Sequence, residues 1–261
     1  MLSFMPILVW MTTLFGMWLK TKFLSRLRKL RKLGTSMTQA SSNEFTKKYT
    51  AVYQSLARIY GEPQWQPALP PVDELVCTIL SQATSDTNRD KGFNALKARY
   101  PNWESVMIAP EAEVIETIYS AGLANQKGPR IQAALRFIVQ ERGAIELDFL
   151  NDLPLDKAQH WLMQINGIGP KTAAIILLFS FGRPCFPVDT HVYRITRRLG
   201  LIDQKVTADK AHNILQNRGD AVTFYPMHIN LIRHGRTTCR TRNPKCNICV
   251  LQQWCDYYQT M

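Results

Sequence analysis

Residues 165–172 read Ile165-Asn166-Gly167-Ile168-Gly169-Pro170-Lys171-Thr172 and join two stretches of helical periodicity. Two glycines permit a turn tight enough to bring backbone amides together, and clustered amides hold anions. Pro170 suits the first position of a helix, where unpaired N–H groups and the positive dipole end face a phosphate. The helix that follows, through Ala173, Ala174, Ile175, Ile176, Leu177, Leu178 and Phe179, is apolar all round and has to be buried. Lys171 therefore stands at the mouth of a hydrophobic helix, where partial burial is expected, and a neutral amine there is a nucleophile. The same stretch also reads as an ordinary glycine turn followed by a solvated lysine.

Outward from this hairpin, apolar residues recur at spacings of three and four with almost no alternating run, so the fold class is all-α. The pattern predicts helices near 44–60, 73–82, 87–99, 111–120, 128–142, 155–164, 170–181, 190–199, 207–217 and 221–235. Gly61 to Pro71, with four prolines, reads as a rigid linker. Gly122 and Gly200 follow apolar-periodic runs, where a left-handed C-terminal residue is expected.

Eighteen residues beyond Lys171 comes Pro187-Val188-Asp189-Thr190-His191, leading into a helix. Asp189 fits an N-cap, which contributes about 1 kcal/mol. A carboxylate there can equally accept protons beside a nucleophilic lysine and stabilise positive charge developing on a sugar. His191 reads as structural.

Four of the six cysteines, Cys239, Cys246, Cys249 and Cys255, are spaced C-x6-C-x2-C-x5-C near the end of the chain. That clustering is unlike a distributed disulfide framework and reads as a metal or cluster site in a reducing compartment. Only Cys246 and Cys249 form a knuckle of the kind zinc sites use in pairs, so one compact loop around a larger iron–sulfur core fits better, with zinc the alternative. Arg236, Arg240, Arg242 and Lys245 make the loop basic, which suits phosphate binding or offsets the charge of a thiolate-bound cluster.

The formal charge of +12 points to a polyanionic partner, but seven of the basic side chains and no acidic ones fall in residues 1–36. Residues 1–19 are uncharged and largely apolar, and the basic stretch follows them, an order that argues against a secretory signal. The extension 1–42 is read as upstream sequence before a true start at Met37, or as a short membrane anchor.

Taken together, Gly167 to Ala173, Val188-Asp189-Thr190-His191 and the four-cysteine loop resemble the helix-hairpin-helix DNA glycosylases, and within them the endonuclease III group, over roughly residues 44–260. The resemblance implies a six-helix barrel over 73–183 and a cluster lobe of 43–72 with 184–261, a DNA-binding cleft between them, and a 4Fe-4S cluster held by the four cysteines. It implies that Lys171 attacks the sugar C1′ to form a Schiff base with help from Asp189, that β-elimination nicks the strand, and that the partner is double-stranded DNA with damaged bases or abasic sites. Gly167, Gly169, Thr172, Arg240 and Lys245 would contact DNA. Gln82, in Leu80-Ser81-Gln82-Ala83-Thr84-Ser85-Asp86, resembles the glutamine that fills the gap left by an extruded base, although in the best-known branch that glutamine falls at the place of Ala83. The hairpin also opens with Ile165-Asn166 where Leu-Pro is usual. The expected task is excision of oxidised pyrimidines by a monomer in the cytoplasm, with membrane contact or an organellar location only if residues 1–36 are expressed. The competing functions are removal of mismatch-derived uracil or thymine, and a non-catalytic DNA-binding module.

Overall fold

The computed structural model describes residues 42–261, and among them every regular element is a helix. The extension expected to be an anchor or untranslated sequence lies outside the described residues. Helix α1 runs over 42–60, followed by α2 (Pro71–Leu80), α3 (Asp86–Arg99), α4 (Trp103–Ile108), α5 (Glu111–Thr117) and α6 (Ala124–Arg142). Then come α7 (Leu155–Met163), α8 (Pro170–Phe181), α9 (Thr190–Arg198), α10 (Ala208–Arg218), α11 (Phe224–Thr237) and the short α12 (Asp256–Gln259). Residues 49–261 form one compact unit.

A single hydrophobic cluster runs from Val72 to Cys185. Its centre is α8, which buries Ala173, Ala174, Ile176, Leu177 and Leu178 and packs against α2 and α7. Side chains with this little polarity fold as a helix only because neighbours cover nearly the whole circumference. The linker of residues 61–70 is held by directional bonds: Trp65 Nε1 donates to the Leu178 carbonyl at 2.7 Å, and Asn230 Nδ2 of α11 donates to the Gly61 carbonyl at 2.8 Å. Gly122 and Gly200 take the expected positive φ, 66° and 70°.

Among the described residues one lysine is fully enclosed. Lys127 of α6 sends its ammonium to the Leu80 carbonyl at the end of α2 and to the Ala121 carbonyl of the 3-10 turn Tyr119–Ala121, both at 2.7 Å. An unpaired ammonium at such a site would be heavily penalised, so the two charge-assisted bonds are what permit the burial.

Candidate functional site

The hairpin between α7 and α8 is built on buried Ile165 and Ile168, which anchor it in the core while Asn166 and Gly167 stay exposed. Gly167 has φ +84°, a conformation that favours glycine, and a Cβ there would lie 2.5 Å from Arg130 Nε, so a side chain would also displace that guanidinium. Gly169 is the N-cap of α8, with nothing within 4 Å of where a Cβ would stand. The first N–H groups of α8 have no acceptor within the helix and open onto this bare surface. Thr172 is buried behind them.

Lys171 differs from the expectation of partial burial: it is exposed, on a side of the first turn of α8 that the core does not cover, while Thr172, Ala173 and Ala174 after it are buried. Among the described residues its amine has no hydrogen-bond or ion-pair partner. Along α8 the incompletely buried positions Lys171, Ile175 and Phe179 follow one another at intervals of four on one face, with Pro170, Ser180 and Phe181 also partly open at the two ends. Ile175 and Phe179 line an open cavity of about 320 Å³ whose other walls come from α2, α3 and α11. The cavity therefore lies along the helix face that begins with the lysine.

Asp189 is the N-cap of α9, its Oδ1 accepting the Val192 N–H at 2.7 Å. The capping reading is realised, yet it occupies one oxygen; no donor among the described residues meets Oδ2. Two histidines that the sequence did not single out hold the segment before it. His212 and His228, both buried, donate Nδ1–H to the adjacent carbonyls of Phe186 and Pro187, at 3.1 and 3.0 Å. A carbonyl can only accept, which puts a proton on Nδ1 of both imidazoles. The charges of Asp189 and Lys171 both reach His228, the first favouring and the second opposing its protonation. His191, read as structural, meets Arg194 at 3.1 Å and packs where a Cβ on Gly235 would collide with it.

Burial drives the pKa of His212 and His228 below the ordinary value, with Lys171 adding a smaller downward push on each. Asp209 for His212 and Asp189 for His228 act in the opposite sense. Unfolded histidines bind protons below about pH 6.5, whereas these two resist them while folded, so the folded state loses stability as pH falls through that range. The expected slope is up to about 1.4 kcal/mol per pH unit for each histidine. Denaturant midpoints measured between pH 7.5 and 5.5 check this, and His228→Gln should flatten the dependence.

Gln82 sits in the turn after α2, its Oε1 bonded to Arg130 Nη1 at 2.5 Å and its Nε2 directed at the Gly167 carbonyl at 3.5 Å. The structure thus joins Gln82 to the glycine hairpin through Arg130, a residue the sequence did not flag. Ala83 beside it takes φ +51°. Leu123, at the start of α6, combines the same left-handed backbone with 50% exposure, a strained and solvent-facing apolar side chain.

Cys239, Cys246, Cys249 and Cys255 line one small cavity of about 20 Å³. Arginines of α9 lock the surrounding loop: Arg194 donates twice to the Cys239 carbonyl, at 3.1 and 2.9 Å, and Arg198 Nη1 donates to Cys239 Sγ at 3.2 Å. Arg198 also lies over the Tyr257 ring, 4.7 Å from its centroid. Burial pushes the Cys249 thiol up to about 11, with the other three cysteines raising it further, so thiolates here need a cationic core among them. Among the described residues no three histidine, cysteine or acidic side chains gather closely enough to hold a single metal ion. Arg240 and Lys245 are exposed on this loop.

Two helices joined by an anion-accepting glycine turn, with an exposed lysine opening the second helix and a capped aspartate eighteen residues on, define a helix-hairpin-helix protein. Residues 76–220 match the family described as "HhH-GPD superfamily base excision DNA repair protein", and the chain belongs to that family. Endonuclease III of Rickettsia conorii is 34% identical over 70% of this chain and 83% of its own length. A putative DNA glycosylase of Arabidopsis thaliana is 32% identical over 63% of this chain and 56% of its own, so this chain spans little more than half of that relative. A solved non-covalent endonuclease III–DNA complex has the same fold, with TM-score 0.68 and 25% identity over 80% of this chain and 94% of that one.

Proposed function

We propose that the chain excises damaged bases from double-stranded DNA, with oxidised pyrimidines as its substrates, and nicks the strand at the resulting abasic site. The observation that carries this reading is the unpartnered amine of Lys171, at an open helix start and within the electrostatic reach of the same buried His228 as Asp189. In its neutral form that amine attacks C1′ of the sugar. The bond from C1′ to the base breaks, the base leaves with the electron pair and takes up a proton, and the amine proton passes to Asp189. Ring opening gives a Schiff base between Lys171 and C1′. Loss of a C2′ proton then expels the 3′ phosphate oxygen, and hydrolysis of the imine frees the enzyme.

The first turn of α8, with Gly167, Gly169 and Thr172, serves as the phosphate grip in this reading. Arg240 and Lys245 extend it on the cysteine loop, and Gln82 and Leu123 face the duplex. The cleft divides a lobe over 73–183 from the cluster lobe, and the enzyme acts as a monomer. The test is borohydride reduction in the presence of abasic-site DNA: a covalent protein–DNA adduct is expected, and its absence from active, DNA-binding protein would overturn the Schiff-base step.

Four thiols around one cavity, rather than converging on a point, support a 4Fe-4S cluster as the group held by Cys239, Cys246, Cys249 and Cys255. When bound, the cluster supplies a fold-holding crosslink for a loop with little apolar content. Anaerobically purified protein is expected to be yellow-brown with about four irons per chain. Cys249→Ser should lose iron and solubility together. Stoichiometric zinc without iron in the wild type would reject the assignment.

A further inference from the structure

The cavity beside Lys171 holds a carboxylate that the reaction above does not use. Glu74, in the first turn of α2, lines the cavity yet is only 8% exposed. One turn on, the Thr78 hydroxyl donates to its Oε1 at 3.2 Å. Among the described residues Oε2 has no hydrogen-bond partner. Arg89 is near enough to influence Glu74, but its guanidinium is bonded to Asp86 and Asp90, at 3.4 and 2.7 Å. Asp86 in turn holds Arg236 of α11 at 2.9 Å. Arg89 and Arg236 are thus engaged with other acids, and Arg233 with the Tyr60 carbonyl and Asn230 Oδ1, so Glu74 stays half-satisfied. A buried carboxylate with an idle oxygen is costly unless something arrives to bond it.

Resting on the proposed function, we infer that Glu74 reads the Watson–Crick edge of the extruded base and favours pyrimidines that carry an exocyclic amino group, those derived from cytosine. A sugar held at the Lys171 amine places its base along the stripe that continues through Ile175 and Phe179, whose apolar side chains suit the faces of a ring. The edge of that ring meets the polar wall. An ionised carboxylate only accepts hydrogen bonds, so it needs an N–H. The amino group at C4 of a cytosine offers one directed outward, the same pairing by which carboxylates select cytosine in duplex DNA. A uracil or thymine derivative places a carbonyl oxygen at C4 instead, where two acceptors would face each other, and its one edge donor, N3–H, stands at the middle of the edge rather than at C4.

The experiment compares single-turnover excision of 5-hydroxycytosine and 5-hydroxyuracil in one duplex, two lesions that differ only in the C4 substituent and the accompanying protonation of N3. The wild type should remove the cytosine lesion at least about tenfold faster, the discrimination expected of one good edge contact. In Glu74→Gln the amide can present either a donor or an acceptor, and the ratio should fall to within about threefold of unity. A wild type with no preference, or with the opposite one, overturns the inference. So does a Glu74→Gln variant that keeps the wild-type ratio, since Glu74 would then serve only to fix Thr78. Should Glu74→Gln not fold, Glu74→Asp provides the readout: a carboxylate one methylene shorter should lower the cytosine rate more than the uracil rate, and equal losses reject edge reading. Nicking of abasic DNA, which has no base to read, is run alongside. Failure of the wild type there rejects the role of Lys171, and the two lesions are then compared by equilibrium binding, where the same tenfold preference is required.

Discussion

Lys171→Gln is expected to abolish strand nicking and borohydride trapping while leaving affinity for abasic DNA within a few-fold of wild type. The side chain is exposed and unpartnered, so its replacement removes no packing, and stability should change by no more than about 0.5 kcal/mol. The backbone amides at the start of α8 stay where Gly169 and Pro170 put them, and these are the groups assigned to phosphate. An amide nitrogen is not nucleophilic and cannot form an imine, so chemistry and binding separate in one variant. Gel-shift and nicking assays on the same preparation make the measurement. Residual nicking by the variant would mean that another group attacks the sugar or abstracts its proton.

Asp189→Asn is expected to lower turnover by roughly two to four powers of ten, the range for a lost general base. Its structural cost should be small. Asn caps a helix about as well as Asp, and its side-chain oxygen can keep the 2.7 Å bond from the Val192 N–H. What disappears is the proton-accepting character of the other oxygen, the one without a donor. Single-turnover nicking with unchanged thermal stability is the signature sought. A normal rate in Asp189→Asn would reduce Asp189 to a cap.

The contrast between these residues and the rest of the site shows what a linear sequence carries. Lys171, Asp189 and the cysteine loop are legible because each belongs to a short local pattern: a glycine turn before an apolar run, a capping position, a cluster of thiols. Helix α8 is predicted at 170–181 and observed at those bounds, since Pro170 and the glycine after Phe181 mark both ends. Helix α4 escapes because its six residues are too short to show periodicity, and the Asn102 cap is the main sign of it. Glu74, Arg130, His212 and His228 escape for another reason. Their roles depend on partners such as Gly167, Phe186 and Pro187, and a half-satisfied carboxylate or a buried imidazole leaves no mark until the chain is folded. The expected burial of Lys171 failed for a related cause, because the hydrophobic pattern of α8 tells which helix is enclosed but not which side of its first turn is left open.

The enclosed ammonium of Lys127 has a mechanical consequence for the surface it never reaches. It grips the Leu80 carbonyl two residues before Gln82 and the Ala121 carbonyl two residues before Leu123. Both turns are therefore fastened to one rivet, and displacing either drags on the other through charge-assisted bonds in a dry interior. Gln82 and Leu123 do not behave as two independent fingers. They form the teeth of a single jaw, with their spacing set from behind by an amine that neither of them touches.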